Sequence, residues 1–413
     1  MPRFQFTPSP TQLAHLRAAA LKRFGRAIDS DGECIALAKV LALQPGGSLS
    51  RTWLRRFFLK QESYFHRNSL DKLALYAEGC DFAYFCRLLE AGSAAGEQAA
   101  AQAIEPLSLQ GPSYAASLQQ GYVLGMRIRP GRPTEAVEAQ ALAQAATPYG
   151  QKLFVESFVD LAHVNGAYGA VVERYLEHAT AWDRQIFGYS VLFLGAFLAE
   201  DEPRWRQRLA QLRAVPVPHG MHPFPLGRRA FALLMADRWS RPITDTALDE
   251  LRQQARTCAV AEADAGYPAF YNYFPAGYYF LVAEALFLRG QFAALNQWLD
   301  TTDAFLERVA YCREPNVFRE VLDAFRSVAL LRTGAPAEAR HLYQDLSPSV
   351  AVADNRWLWD YYQVYLWLTD LHFEAGAEGS QAKRASAHAA IEAFAQERNM
   401  PFFRTVARHI VNR

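Results

Sequence analysis

Apolar residues recur along this chain at steps of three and four, and almost nowhere at steps of two. QLAHLRAAALKRF (12–24), AVVERYLEHATAW (170–182), FREVLDAFRSVALL (318–331) and SAHAAIEAFAQER (386–398) each place a hydrophobic stripe at helical spacing. Alternating runs are scarce, and VAVA (350–353) is too brief to build a sheet. Proline and glycine collect between the periodic blocks, in QPGG, RPGRP, VPVPHGMHPFP and TGAP, where helices stop and turn. The pattern predicts an all-α protein. With 413 residues, half of them hydrophobic, and eight Trp, the chain can fill two or more cores.

Two textures divide it. Residues 1–90 predict five short helices, near 10–26, 31–43, 49–60, 69–78 and 81–90. AGSAAGEQAAAQAIEPLSLQGP follows, rich in Ala, Gly, Ser and Gln and poor in large apolar residues. The expected division is a head at 1–92, a linker or helical strut at 93–112, and a long helical body at 113–413. Residues 1–90 hold thirteen Lys/Arg against eight Asp/Glu, a balance of +5, while the remainder carries −4. A mildly basic head on a mildly acidic body points the head toward nucleic acid.

Within the body a helix-break signature returns. Gly290, Gly334 and Gly376 stand 44 and 42 residues apart, each followed by a helix with an Ala/aromatic stripe. Glycine permits the left-handed turn and small residues let two helices close up, as a helix hairpin requires. These units resemble tetratricopeptide-type repeats. The match is fullest at 334–346, where Ala339 and Tyr343 follow Gly334 by five and nine residues, and Gly166 with Tyr175 shows the same nine-residue step. Intervals longer than the usual repeat, and Ala283 and Ser327 where the first helix would carry Gly, mark them as divergent. The expected architecture is a small helix-turn-helix-like bundle followed by a tetratricopeptide-like α-α superhelix.

In the head, DGECIALAKVLAL (31–43), the turn QPGGSLS and SLSRTWLRRFF (48–58) form a helix-turn-helix in outline. Ser48 or Ser50 can cap the second helix. Leu49, Trp53, Leu54, Phe57 and Phe58 form its buried stripe, and Arg51, Arg55, Arg56 and Lys60 its charged side. LSRTWLRRFF, then SLDKLALY, then DFAYF resemble an N-terminal helix-turn-helix-like domain that, in a family of bacterial proteins, precedes a variable C-terminal region. That family's pattern runs Leu-Ser-x-x-Thr-Leu-Lys-Arg and two large apolar residues, then Thr-Leu-x-x-Leu-Ala-x-aromatic, then Trp-x-x-Phe. Leu49, Ser50, Leu54, Arg55, Arg56, Phe57 and Phe58 match the first block. Leu70, Leu73, Ala74 and Tyr76 match the second, and Phe82 and Phe85 the third. Leu59 replaces the family's Gly, Ala77-Glu78-Gly79 its Leu-Gly-Tyr, and the preceding Pro is missing. The resemblance covers about the first 90 residues and implies DNA binding and transcription regulation.

A helix of this size fits the major groove, where Arg is the commonest reader of guanine. Ser50 would cap the reading helix, Arg51, Thr52 and Arg55 would face bases, and Arg56, Lys60, Arg67 and Asn68 would hold phosphates. In the body, GYPAFYNYFPAGYYFLVAEALF (266–287) carries nine Tyr or Phe, and buried tyrosine hydroxyls require partners. Tyr271, Asn272, Tyr273, Tyr278 and Tyr279 are therefore candidates for a peptide-binding groove. Aromatic packing between hairpins accounts for the same residues. RWLWDYYQVYLWL (356–368), apolar nearly all round, reads as a buried helix.

Enzyme chemistry finds little footing. HGMH (His219, His222) has metal-like spacing without a third ligand, and SQAK (380–383) lacks the companion motifs of Ser-x-x-Lys enzymes. No P-loop, GxGxxG or HExxH occurs. No catalytic residue, cofactor or metal is expected. Five cysteines without a CxxC pair point to reduced thiols. The N-terminus MPRFQFTPSP has no apolar signal segment, and YSVLFLGAFLA (189–199) is shorter than the roughly 20 residues that cross a bilayer. A cytoplasmic protein without membrane contact is expected. The layout resembles bacterial peptide-sensing regulators: DNA at the head, a peptide or protein on the body, and a homodimer to give two half-sites. The competing expectation is a helical-repeat interaction adaptor that binds no nucleic acid.

Overall fold

The computed structural model describes residues 8–42, 49–62, 65, 67–78, 82, 85–86, 114–129, 133–236, 242–257, 268, 270–271, 274, 276–306, 317–346, 356–373 and 381–411. Among them every regular element is helical and no strand occurs. The chain divides into two compact units, residues 1–104 with 352–356 and residues 105–351 with 357–413. Each has its own apolar core. The expected linker at 93–112 lies outside the described residues, apart from this division, as do VAVA and the turn at 43–48.

The first unit contains α1 (Pro10–Phe24), α2 (Asp31–Ala42), α3 (Arg51–Leu54, continuing as a π-turn Arg55–Leu59) and α4 (Arg67–Glu78). Helix α1 opens on a capping box. The Gln12 N–H donates to Ser9 Oγ, and Gln12 Oε1 accepts from the Ser9 N–H. It closes at Gly25, whose φ of 76° suits a residue without Cβ. Leu13, Leu16 and Ala20 of α1 meet Leu37 and Leu41 of α2, Leu54, Phe57 and Phe58 of α3, and Leu70, Leu73 and Tyr76 of α4 in one core. Of the expected fifth helix only residues 82, 85 and 86 are described; they are helical, and Phe82 and Phe85 join that core.

The second unit opens with α5 (Tyr114–Ile128), α6 (Glu135–Ala145) and α7 (Pro148–Gly150, widening to a π-turn Gln151–Val155). Then follow α8 (Ala167–His178), α9 (Trp182–Leu198), α10 (Glu202–Ala214), α11 (Pro223–Ala236) and α12 (Asp245–Thr257). The unit is completed by α13 (Gly277–Leu288), α14 (Phe292–Leu306), α15 (Val317–Arg332), α16 (Pro336–Asp345), α17 (Arg356–Phe373), α18 (Gln381–Glu397) and α19 (Phe402–Val411). Successive helices pack as pairs: α8 on α9, α9 on α10, α13 on α14, α15 on α16. Gly290 (φ 64°) and Gly334 (φ 98°) make the turns between the last two pairs.

Helices α9, α11 and α13 lie side by side as an inner layer. Every residue of α13 is buried. It reaches α11 through Gly227 and Gly277: a Cβ at Gly227 would sit 2.7 Å from the Gly277 carbonyl oxygen, so the two backbones touch. Across α13 and α15 lies α17, with ring contacts Phe280–Tyr362 (5.2 Å) and Phe325–Tyr365 (5.4 Å). The end of this unit then returns to its beginning. Asn165 Nδ2 donates to the Asn399 carbonyl (2.9 Å), Thr405 Oγ1 to Glu200 Oε1 (2.8 Å), Phe197 packs on Phe402, and Arg129 pairs with Asp360. In this unit α17 covers α13, which is buried all round, and the apolar face of α15 with aromatic rings, while the other side of α15 carries Arg319, Asp323 and Arg326.

Candidate nucleic-acid interface

Helix α3 begins at Ser50, whose Oγ accepts from the Trp53 N–H (3.1 Å) and so satisfies one of the free donors of its first turn. Leu54, Phe57 and Phe58 are buried behind it. Trp53 is half-buried, stacked on Phe57 (4.9 Å between centroids) and edge-on to Phe65 (5.0 Å). The helix then widens: the Lys60 N–H donates to the Arg55 carbonyl (3.0 Å), and the Glu62 N–H to that of Arg56 (3.1 Å). Gln61 leaves in the left-handed region (φ 50°). π-turns of this kind occur often at functional sites.

The cations of α3 divide into two groups. Arg51 and Arg55, one turn apart, converge on Asp31, the first residue of α2. Arg51 Nε donates to Asp31 Oδ1 (2.8 Å), Arg51 Nη2 pairs with Oδ2, and Arg55 Nε lies 3.3 Å from Oδ1. Arg56 turns the other way, its Nε 2.6 Å from Glu62 Oε2 and its guanidinium over the Phe65 ring. All three side chains stay about half exposed, at 53%, 48% and 43%. Thr52 and Lys60 are exposed. Arg67 and Asn68 open α4, and their side chains lie outside the described residues. The single outward patch expected of residues 51, 55 and 56 is thus a pair buttressed by Asp31 and a third cation held by Glu62.

Sequence reasoning missed both carboxylates and Arg17. Arg17 sits on α1 with Nε donating to the Phe57 carbonyl (2.7 Å) and Nη2 to that of Glu62 (3.1 Å), stacked over the Phe57 ring. Burial lowers its pKa. It satisfies carbonyls in and after the π-turn and so holds α3 to α1. The acidic start of α2 was the available signal for Asp31; Arg17 had none, since its partners are forty or more residues away. The connection between α2 and α3 covers residues 43–50, longer than the roughly three- to four-residue turn of a tight helix-turn-helix.

At its described positions the tyrosine segment of the second unit follows the packing alternative. Tyr271, Tyr278 and Tyr279 are buried. Tyr271 packs on Phe224 (5.3 Å) and His222 (5.0 Å), Tyr278 donates to Gln254 Oε1 (2.8 Å), and Tyr279 stacks on Phe305 (4.5 Å). They are core, because ring partners and an internal hydroxyl acceptor are close at hand. Asn272 and Tyr273 lie outside the described residues. His222, buried, takes the Phe224 N–H on Nδ1, and burial pushes its pKa down to about 3. Among the described residues no group of three metal-ligating side chains comes together, and no helix is long and apolar enough to cross a membrane.

The same unit buries two carboxylates. Glu284 of α13 accepts from the Tyr365 and Tyr361 hydroxyls, with Arg228 of α11 at 3.8 Å. Burial raises its pKa to about 6. Glu156 accepts from the Tyr175 hydroxyl (2.8 Å) with Arg184 Nε at 3.4 Å, and burial raises it to about 7. The unit's surface offers a cleft of about 490 Å³ beside α8, floored by Gly169 and Ala170 and edged by Glu173, Arg174 and Arg204. Compared with protein-family models, curated proteins and solved structures, the chain matches none.

Proposed function

We propose that this chain is a DNA-binding regulator whose first unit meets the duplex through α3. The reading is carried by Arg51 and Arg55: half exposed, one turn apart, on a capped helix anchored from behind by Leu54 and Phe57. Guanidinium pairs of this kind serve both guanine edges and phosphates. Thr52 and Lys60 are exposed as well. The second unit receives a peptide or protein, at the cleft beside α8 rather than at the tyrosine segment. A second copy of the chain supplies the other half-site, since one short helix makes few contacts.

The test is fluorescence anisotropy of a labelled mixed-sequence duplex with the full chain, at about 50 and about 200 mM salt. Binding should weaken by an order of magnitude or more across that range, with a log–log slope of roughly −0.9 per neutralised phosphate. Arg51→Ala with Arg55→Ala should weaken it by about 2–4 kcal/mol while the helical circular dichroism is unchanged. A double variant that binds as the unaltered chain does would remove α3 from the reading.

A second reading is an interaction adaptor without nucleic acid. Its support is that Arg51, Arg55 and Arg56 all have carboxylate partners inside their own unit. On that reading anisotropy with duplex DNA stays flat at both salt concentrations.

A further inference from the structure

Asp31 stands where it can control how α3 uses its two leading arginines. It is the first residue of α2, whose next turn is tied by Ser30 Oγ accepting from the Glu33 N–H (3.3 Å) and whose Cys34, Leu37 and Leu41 are buried. Its backbone is therefore anchored, and its carboxylate meets both Arg51 and Arg55. Both guanidiniums use their Nε edge on it. Arg51 bonds to it and Arg55 approaches it at 3.3 Å, and both side chains remain about half exposed. The local charge of two arginines and one aspartate is +1. Arg26 and Glu33, paired at 2.8 Å on the same end of α2, add nothing to it.

We infer that Asp31 is the specificity-determining positioning residue of this surface: it orders Arg51 and Arg55 as one unit for base edges and subtracts a charge from sequence-independent attraction to phosphates. This rests on the DNA-binding reading. Two long side chains held in a shared geometry lose less entropy on docking, and their geometry decides which bases they fit. A free pair would meet any phosphate equally well.

The consequence runs opposite to ordinary loss of function. Asp31→Asn in the full chain should tighten binding to a labelled random-sequence duplex pool. The expected gain is roughly fivefold near 0.15 M salt, the factor for one further neutralised phosphate, with a salt slope steeper by about 0.9. In parallel, sequences recovered from that pool by the variant should show little enrichment over input, where the unaltered chain enriches a motif. Asp31→Glu keeps the charge and should restore both the affinity and part of the enrichment. Loss of an acidic residue from the first turn of α2 lowers melting temperature slightly, but that alone moves neither the slope nor the enrichment. If Asp31→Asn binds with unchanged affinity and slope while the Arg51→Ala, Arg55→Ala variant binds weakly, the inference about Asp31 is overturned and the DNA reading stands. If neither the unaltered chain nor Asp31→Asn binds the pool at low salt, the DNA reading itself fails, and this inference with it.

Discussion

Asp31 and Glu62 of the first unit and Glu284 of the second put their charges to different uses. In the first, Asp31 and Glu62 meet arginines at the surface, with every partner a third or more exposed. In the second, Arg228 and Glu284 are wholly enclosed, and the carboxylate is held by two tyrosine hydroxyls. Surface pairs are worth little to stability because water and salt compete for both partners. Their partners can therefore be exchanged for a phosphate or a base at small loss. An enclosed pair has no such freedom, since breaking it leaves a charge without solvent. Where charge is cheap to re-pair, a binding surface is available. Where it is not, the charges hold a core together.

The largest effect that would break this contrast is at Glu284. Glu284→Ala strands the Arg228 guanidinium in the interior and should destabilise the second unit by about 3–5 kcal/mol, read from urea unfolding. Replacing both residues with Met should recover most of that loss. A single variant as stable as the unaltered protein would show that the pair is not confined as described.

Next in size is the pH dependence set by Glu156. Its pKa stands at about 7 in the folded chain against an ordinary 4.5, because burial disfavours the carboxylate more than Arg184 and Tyr175 favour it. The folded state therefore binds the proton more tightly than the unfolded one. Its contribution to stability is complete below about 4.5 and is lost as pH rises through about 7. Glu156→Gln, which carries no charge, should lift stability at pH near 8 by up to about 3 kcal/mol and leave it nearly unchanged near pH 4.5. Glu284 shifts in the same direction and should retain part of the slope in that variant. Thermal melts at the two pH values decide it.

Smallest is the first unit's own ion pairing. Arg51→Ala or Arg56→Ala should change unfolding free energy by less than about 1 kcal/mol each, and less still in high salt. A larger loss would make those arginines structural and would weigh toward the adaptor reading. Arg17→Ala is the internal standard, since it removes two carbonyl contacts and a ring contact at once.

Much of the helical content was legible because it rests on local periodicity. The boundaries expected at 10–26 and 31–43 fall within a few residues of Pro10–Phe24 and Asp31–Ala42. Gly290 and Gly334 take the left-handed turns expected of them, and Gly376 lies outside the described residues. Of the stripe Leu49, Trp53, Leu54, Phe57 and Phe58, all are buried except Trp53, which is half-buried. The tyrosine segment left two readings open because a run of rings reads alike whether it lines a groove or fills a core. Only the arrival of neighbours from far along the chain, Phe224 on Tyr271 and Phe305 on Tyr279, distinguishes the two.

By itself the sequence determined that the chain is helical, where its helices turn, and which faces must be hidden, because those follow from residues within a turn or two of one another. Tertiary structure alone decided what hides each face and what each charge meets. Arg51 finds Asp31 twenty residues away, Tyr365 finds Glu284 eighty-one away, and Asn165 finds Asn399 across 234. Contacts at such separations carry no local pattern; they exist only once the cores have closed and the cost of burying a polar group has selected its partner.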